Sequence, residues 1–181
     1  NGHKIEEIRD ILHENGVEVQ LFCPKDMGYE KEPVEDGESF AENAYIKAKY
    51  YHELCGLPTI ADDSGICIDY FGGKPGIHSA RFLPEMDYPE KCAYIVDVMK
   101  DVSQRGARFV DCLCYIDENE NVNYYEGINE GQIAFAKAGS EGFGYDPIFL
   151  LPEYNKTEAE LGNAFKNEHS HRAKALKEWI I

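Results

Sequence analysis

The stretch SFAENAYIKAKYYHELCGLPTIADDSGICIDY, residues 39–70, places a helical pattern directly before an extended one. Ser39 and Glu42 have the spacing of a capping box, in which each side chain satisfies a backbone N–H of the other residue. This spacing predicts a helix that begins at Phe40, and Gly56 is a residue type at which helices commonly end. A helix that leads through a short turn into an apolar extended segment indicates an α/β fold.

The extended part of this stretch is interrupted by turn-forming residues. Residues 57–61 are a short apolar run that predicts a buried strand, and residues 66–70 resume the extended pattern. Between them lies the tetrapeptide DDSG, residues 62–65, whose residue types favour turns. We therefore expect the strand to open into a loop at this tetrapeptide.

Outward from this stretch, hydrophobic spacing and capping pairs predict a series of short elements. The expected elements are helices over 5–12, about 89–100 and from Ser170 onward, a strand over 17–21, a hairpin of 109–116 with 122–125, a strand over 132–136, a constrained loop over 142–147, and capping boxes at Asp87 with Glu90 and at Thr157 with Glu160. We expect one domain over residues 1–181. Because no strand precedes the first helix, we also expect that an N-terminal strand is missing.

The composition limits the class of protein. With 181 residues, 43% of them hydrophobic, the chain is long enough for one globular domain with a sizeable core. No apolar run approaches the roughly 20 residues of a membrane span. The six cysteines form no C-x-x-C pair, and a chain of this size needs no disulfides to fold, which favours a reducing, cytoplasmic setting.

The charge balance limits the partners. A formal net charge of −16 repels nucleic-acid polymers and anionic membranes. A small polyanion can still bind where a local cationic pocket or a divalent cation offsets the repulsion. The positions of the few basic residues are therefore informative.

Two candidate clusters lie on predicted helices. Residues 1–4 come at the start of a helix, where free backbone N–H groups and the helix dipole attract anions, although a frayed end with a solvated lysine has the same sequence. Glu42 and Lys49 are seven residues apart, so they share a helix face and could hold a metal and a phosphate together. A capping glutamate and a solvent-facing lysine explain that pair equally simply.

The third cluster is Asp62 and Asp63 with Ser64. Adjacent carboxylates between apolar flanks are costly to bury unless a cation offsets their charge. Mg2+ prefers such oxygen ligands and keeps waters that substrate phosphates can replace. The alternative is a plain turn stabilised by side-chain hydrogen bonds. From the residues alone, both interpretations stay open.

The fourth cluster lies in the C-terminal third. Phe143 and Tyr145 alternate with glycine and could form a wall on which a base stacks. His171 and Arg172 fall in the first turn of the last helix, where positive charge opposes the helix dipole, so either a ligand or solvent exposure must account for them. With Lys166, this cluster adds a stacking surface and donors to the carboxylates and cations above. The four clusters together indicate nucleotide chemistry without naming the reaction.

Seven stretches of the chain carry a more specific signal as a set. They are NGHKIEEI at 1–8, SFAENAYIKAK at 39–49, ADDSGICID at 61–69, GGKPGIHSARF at 72–82, GFGYDPIF at 142–149, KTEAEL at 156–161 and KNEHSHRAKAL at 166–176. In these motifs the chain resembles the inosine triphosphate pyrophosphatase family, in its bacterial form. The resemblance implies an elongated mixed sheet with flanking helices, in two lobes around a central cleft, and a homodimer. It also implies Mg2+-dependent hydrolysis of non-canonical purine nucleotides (ITP, dITP and XTP) to the monophosphate and pyrophosphate.

The resemblance further implies roles for particular residues. Asp63 would be the catalytic base and, with Glu42 and Asp62, would bind the metal. The residues implied to bind substrate are Asn1, Gly2, His3, Lys4, Lys49, Ser64, Phe143, Gly144, Tyr145, Asp146, Lys166, His171 and Arg172. Two alternatives stay open: a Maf-like pyrophosphatase of different base specificity, and a non-catalytic nucleotide-binding module.

Overall fold

A computed structural model describes residues 1–181 and contains one sheet flanked by helices. The five helices are α1 (Gly2–Glu14), α2 (Phe40–Cys55), α3 (Tyr88–Val98), α4 (Glu158–His169) and α5 (His171–Ile180). The six strands are β1 (Thr59–Ile68), β2 (Lys74–Pro75), β3 (Gly106–Ile116), β4 (Val122–Ile133), β5 (Phe149–Leu151) and β6 (Lys156–Thr157). The expected α/β class is confirmed.

The strands form one sheet in the order β2-β1-β3-β4-β5-β6. Every neighbouring pair is antiparallel, whereas a mixed sheet was expected. The predicted hairpin is confirmed and is longer than expected, because β3 and β4 pair from Gly106 to Gln132. None of the helices has both the length and the apolar character that a membrane span requires.

The core is divided between the two faces of the sheet because side chains alternate along β3. Leu113 lies on one face, where it packs with Ile11 of α1 and Leu176 of α5. Cys114 lies on the other face and packs against Ala44 of α2. A larger cluster lies where the end of β1, at Ile66 and Ile68, pairs with the start of β3, and it includes residues of α3 and β5. The middle of the sheet is therefore covered by α1 and α5 on one side and by α2 on the other.

The helix starts follow the capping signals. The confirmed capping residues are Ser39 for α2, Asp87 for α3, Thr157 for α4 and Ser170 for α5. A cap satisfies backbone N–H groups within one helical turn, so it depends on neighbours in the sequence and can be predicted from them.

Three extended segments differ from the prediction. Residues 62–65 do not open into a loop but continue β1, in register with residues 110–113 of β3. Pairing with a neighbouring strand here outweighs the local turn preference. Residues 17–21 form no strand, since no strand of the sheet pairs with them. The strand predicted over 132–136 is the end of β4, which stops at Ile133.

Candidate active site

Asp62 and Asp63 are neighbours in β1, so their side chains point to opposite faces of the sheet. Asp62 lies opposite Leu113 and faces α1 and α5, whereas Asp63 lies opposite Cys112 and faces α2. The two carboxylates therefore do not act as one adjacent pair, and each has its own environment.

Asp63 lies with Glu35 around the ammonium group of Lys47. Lys47 Nζ is 2.8 Å from Glu35 Oε1 and 3.3 Å from Asp63 Oδ1. The second carboxylate oxygen, Asp63 Oδ2, is buried and accepts no hydrogen bond. Burial outweighs the nearby positive charge and raises the pKa of Asp63 above its ordinary value. A buried carboxylate oxygen without a donor is a place where a cation is stabilised.

A divalent cation fits this cluster. Asp63 and Glu35 present carboxylate oxygens, the ligand type that Mg2+ prefers. No three His, Cys, Asp or Glu side chains converge closely enough to enclose a metal by themselves. Such an incomplete protein site suits Mg2+, which commonly takes its remaining ligands from water and substrate phosphates.

The structure does not bring Glu42 and Lys49 together at a site. Glu42 Oε2 accepts a hydrogen bond from the N–H of Glu38 at 2.7 Å, just before α2. Lys49 is exposed and lies 3.9 Å from Glu53 of the same helix. The lysine that reaches the carboxylates is Lys47, which the sequence reasoning missed.

A signal for Lys47 was present in the sequence, whereas nothing marked Glu35. Lys47 follows Ala44 by three residues, so it lies beside the packed stripe of α2, where a lysine without a partner would be costly. Glu35 belongs to an acidic, turn-rich segment in which no local pattern distinguishes it from its neighbours.

On the opposite face of β1, Asp62 is paired with two cations. Asp62 Oδ2 is 3.1 Å from Lys4 Nζ and 3.2 Å from Arg172 Nη2. Burial disfavours the charge of Asp62, but these cations outweigh it and hold its pKa well below the usual range. Arg172 also donates to Ser64 Oγ at 3.0 Å. A second acid, Asp111, is fully buried opposite Ser64, and burial with the charge of Asp62 raises the pKa of Asp111 well above its ordinary value.

Glu7 of α1 connects two of the expected substrate-binding cations. Its carboxylate lies 2.5 Å from Lys166 Nζ and also contacts the guanidinium of Arg172. Lys166 Nζ is in addition 2.7 Å from Asp146 Oδ2. Burial disfavours both positive charges, but the surrounding carboxylates outweigh it and raise the pKa of Lys166 and of Arg172. Both side chains therefore stay cationic and are held in fixed positions.

Phe143 forms a wall beside these cations. The ring of His3 stacks on it with the ring centres 5.1 Å apart, and Lys166 Nζ lies 4.7 Å from the centre of the Phe143 ring. Asp146 accepts a hydrogen bond from the N–H of Phe143 at 2.9 Å. Gly144 has a φ of 64°, in the left-handed region that favours glycine. The start of the chain and this loop thus meet around one aromatic surface.

Two further residues that were expected to bind substrate, Asn1 and Tyr145, have structural contacts in the free protein. The side chain of Asn1 accepts a hydrogen bond from the N–H of His3 at 3.0 Å and caps α1, whose first residue is Gly2. Tyr145 is buried, and its hydroxyl donates to the carbonyl of Ser79 at 2.6 Å. The Tyr145 side chain therefore anchors the loop to the core.

His171 is buried at the start of α5 and stacks on Phe109, with the ring centres 4.8 Å apart. Its Nδ1 atom has no hydrogen-bond partner. Burial, followed by the charges of Arg172 and Lys166, lowers the pKa of His171 well below its ordinary value. His171 is therefore neutral, and only Arg172 places a positive charge in the first turn of this helix.

The open edge of β1 connects the two faces. Along residues 59–66, β1 has a partner strand on one side only, because β2 pairs with residues 67–68 alone. The carboxylates beside Lys47 lie on one side of this edge, and the cations Lys4 and Arg172 lie on the other. The fold and the site therefore define an α/β protein that binds a small anionic ligand carrying a flat ring.

The comparison with protein families identifies this class more closely. The model of the Ham1 family matches residues 1–180, and the chain belongs to this family. It is 43% identical to the dITP/XTP pyrophosphatase of Treponema denticola, over 97% of this chain and 91% of that protein. It is 42% identical to the dITP/XTP pyrophosphatase of Pseudomonas syringae pv. tomato, over 97% of this chain and 89% of that protein. These relatives confirm the resemblance that the motifs indicated.

Solved structures agree with this assignment. A HAM1 protein from Coxiella burnetii superposes with a TM-score of 0.87 at 33% identity, covering 99% of this chain and 92% of that one. A nucleoside-triphosphatase, dITP/XTP pyrophosphatase, from Mycobacterium abscessus superposes with a TM-score of 0.77 at 36% identity, covering 99% of this chain and 93% of that one. The fold is therefore that of the Ham1 proteins.

Proposed function

We propose that this chain is a Mg2+-dependent nucleoside-triphosphate pyrophosphatase that hydrolyses non-canonical purine nucleotides (ITP, dITP and XTP) to the monophosphate and pyrophosphate, and so cleanses the nucleotide pool. The observation that carries the proposal is Asp63, a buried carboxylate with a free oxygen, held beside Glu35 and Lys47 at the open edge of β1. The names of the relatives support the same substrate class.

Asp63 and Glu35 would hold the metal, and Glu42 would serve the start of α2 instead. When bound, Mg2+ supplies neutralisation of phosphate charge and makes water a better nucleophile. Asp63 orients the attacking water and accepts its proton, a role that requires a positioned carboxylate. Lys4 and Lys47 reach β1 from opposite faces and would meet the triphosphate.

Base selection would rest on Lys166, Arg172 and the wall formed by Phe143. Inosine and xanthosine carry a 6-oxo acceptor where adenosine carries an amino group. An amino group facing these cations would leave unpaired the N–H groups that the protein's own carboxylates do not already bind, at a cost of about 1–3 kcal/mol for each buried group. His171 is neutral, and its unpartnered Nδ1 would contribute one further polar contact.

The proposal includes a cytoplasmic homodimer, each chain forming one domain in two lobes. This part is supported by the family resemblance, and light scattering of the purified protein tests the dimer.

Product analysis with purified protein and Mg2+ tests the activity. ITP and XTP are compared with ATP and GTP, and the products are separated by anion-exchange chromatography. We expect monophosphate and pyrophosphate from ITP and XTP, with little product from ATP or GTP. Orthophosphate with the diphosphate would contradict the pyrophosphatase reaction. Binding without any product would indicate a nucleotide-binding module, and turnover of pyrimidine nucleotides alone would indicate a Maf-like specificity.

A further inference from the structure

Glu158 is a buried acid that the mechanism above does not use. It is the first residue of α4, and none of its surface is exposed. Its Oε1 atom accepts a hydrogen bond from Asn129 Nδ2 of β4 at 2.7 Å. The other oxygen, Oε2, is buried and receives no donor. A buried carboxyl oxygen without a donor is costly if the group is ionised, which indicates that Glu158 is protonated.

The carboxyl groups of Glu158 and Asp146 lie close enough together for one proton to be shared between them. Two buried carboxyl groups in contact are stable when one of them carries a proton. Asp146 Oδ2 already accepts from the N–H of Phe143 and from the ammonium of Lys166, so Asp146 holds the negative charge. Glu158 has only the neutral amide of Asn129 as a donor, so the proton resides on Glu158. Burial, followed by the charge of Asp146, raises the pKa of Glu158 to about 8.

Few charged groups face this pair, and they come from three elements. Lys166 of α4 is the cation whose charge acts on Glu158, and its ammonium is already shared by Asp146 and by Glu7 of α1. Behind Asn129, Lys174 of α5 lies 3.5 Å from the amide oxygen of Asn129. If Glu158 ionised, three carboxylates would compete for the single ammonium of Lys166.

We propose that Glu158 is a positioning residue of the base pocket, which in its neutral form supports Asp146 and thereby holds Lys166 beside Phe143, and which weakens substrate binding when it ionises. The proposal rests on the proposed function, because it takes Lys166 and Phe143 as the surface that receives the base. An ionised Glu158 draws the ammonium of Lys166 towards itself and away from the ligand. The effect therefore belongs to KM and not to the hydrolytic step at Asp63.

The kinetic test compares the wild type with Glu158→Gln and with Glu168→Gln, an exposed glutamate on the same helix. Glutamine cannot ionise and can still donate to Asp146 and accept from Asn129. Between about pH 6.5 and pH 9.5, we expect the KM of the wild type and of Glu168→Gln for ITP to rise several-fold above about pH 8, with kcat little changed. The KM of Glu158→Gln should rise less than that of the other two proteins, and any rise that remains should be the part that ionisation of the base causes in all three. Ionisation of the base itself cancels, because all three proteins meet the same substrate.

The same alkaline rise of KM in Glu158→Gln as in the wild type would overturn the proposal. A second measurement, thermal unfolding without substrate, locates the proton independently of activity. An acid whose folded-state pKa is raised stabilises the fold fully below its unfolded pKa, near 4.5, and this stabilisation is lost as the pH rises to about 8. The wild type should therefore lose melting temperature relative to Glu158→Gln between about pH 5 and pH 8.5.

The unfolding curves also separate this proposal from the proposed function. Parallel curves for the two proteins would show that Glu158 is not the proton carrier and would overturn the proposal. If the curves diverge but the protein hydrolyses no nucleotide, the proposed function is wrong. The proton shared by Asp146 and Glu158 would then still be supported, but its link to substrate binding would be refuted.

Discussion

Asp62 and Asp63 are consecutive aspartates of one strand, yet the fold gives them opposite environments. Asp62 lies between two cations, Lys4 and Arg172, which hold its pKa well below the ordinary range. Asp63 has Lys47 as its one cationic contact, its second oxygen is unpartnered, and burial raises its pKa. Asp62 thus stabilises the fold through ion pairs with Lys4 and Arg172, whereas Asp63 keeps a carboxylate oxygen that a ligand can contact.

The largest effect is expected from Asp63→Asn. Asparagine fills the same space but neither accepts the proton of water nor offers a charged oxygen to a metal, so ITP turnover should fall by about 10²- to 10⁴-fold. The fold should be retained, because the substitution removes a buried charge that is poorly compensated. Turnover is measured by pyrophosphate release and folding by circular dichroism. Near-normal turnover would remove Asp63 from the catalytic role.

The next effect is on stability, and it belongs to Asp62. Asp62→Ala leaves Lys4 and Arg172 with a buried positive charge that has lost a partner, so the free energy of unfolding should fall by about 3–5 kcal/mol. Urea unfolding near neutral pH measures this change, with exposed Asp10→Ala on α1 as the control. A loss no larger than that of the control would show that Asp62 does not hold these cations.

The stability that Asp62→Ala loses should depend on pH, and the direction of this dependence follows from the pKa of Asp62. The pKa of Asp62 is lower in the folded protein than its ordinary value of 3.8. Its contribution is therefore fully present above the unfolded pKa and is lost as the pH falls through the folded value. The difference in stability between the wild type and Asp62→Ala should accordingly shrink in acid.

The contrast between the two aspartates also shows what the sequence could predict. The caps at Ser39 and Ser170 depend on residues within one turn, so they follow from local spacing. The faces of β1 depend on pairing with β3, a strand more than 40 residues further along the chain. The local turn preference of residues 62–65 therefore gave the wrong structure, even though the motif containing them pointed to the correct family.

The same contrast between local signals and contacts with distant elements explains which site residues the sequence predicted and which it missed. Lys166 and Arg172, the proposed substrate-binding cations, stand in motifs whose order is specific, and the structure places Lys166 at Phe143 and Arg172 at Asp62. Lys47 was missed in favour of Lys49: helical spacing indicates that Lys47 lies beside the packed stripe of α2, but it does not show which carboxylate of another element the lysine meets.

The smallest effect is expected on the Mg2+ requirement. It is tested on the α2 side of β1 by comparing Glu35→Gln with Glu42→Gln. Glu35 lies with Asp63 around Lys47, so Glu35→Gln should raise the Mg2+ concentration needed for half-maximal activity by at least about 10-fold, as loss of a metal's supporting group commonly does. Glu42 accepts a hydrogen bond from the N–H of Glu38, so Glu42→Gln should leave the Mg2+ requirement within about 2-fold of the wild type.

Magnesium titrations of ITP hydrolysis at saturating substrate measure both variants. Thermal unfolding without metal serves as the control, because a general loss of folding would lower both activities without shifting the Mg2+ midpoint. A shift in Glu42→Gln but not in Glu35→Gln would reverse the assignment of the second metal ligand and restore the residue that the family motif first indicated. Because Lys47 Nζ contacts both Glu35 and Asp63, Glu35→Gln also leaves this ammonium with Asp63 as its one charged partner, and the positive charge that then competes with Mg2+ for Asp63 adds to the expected shift.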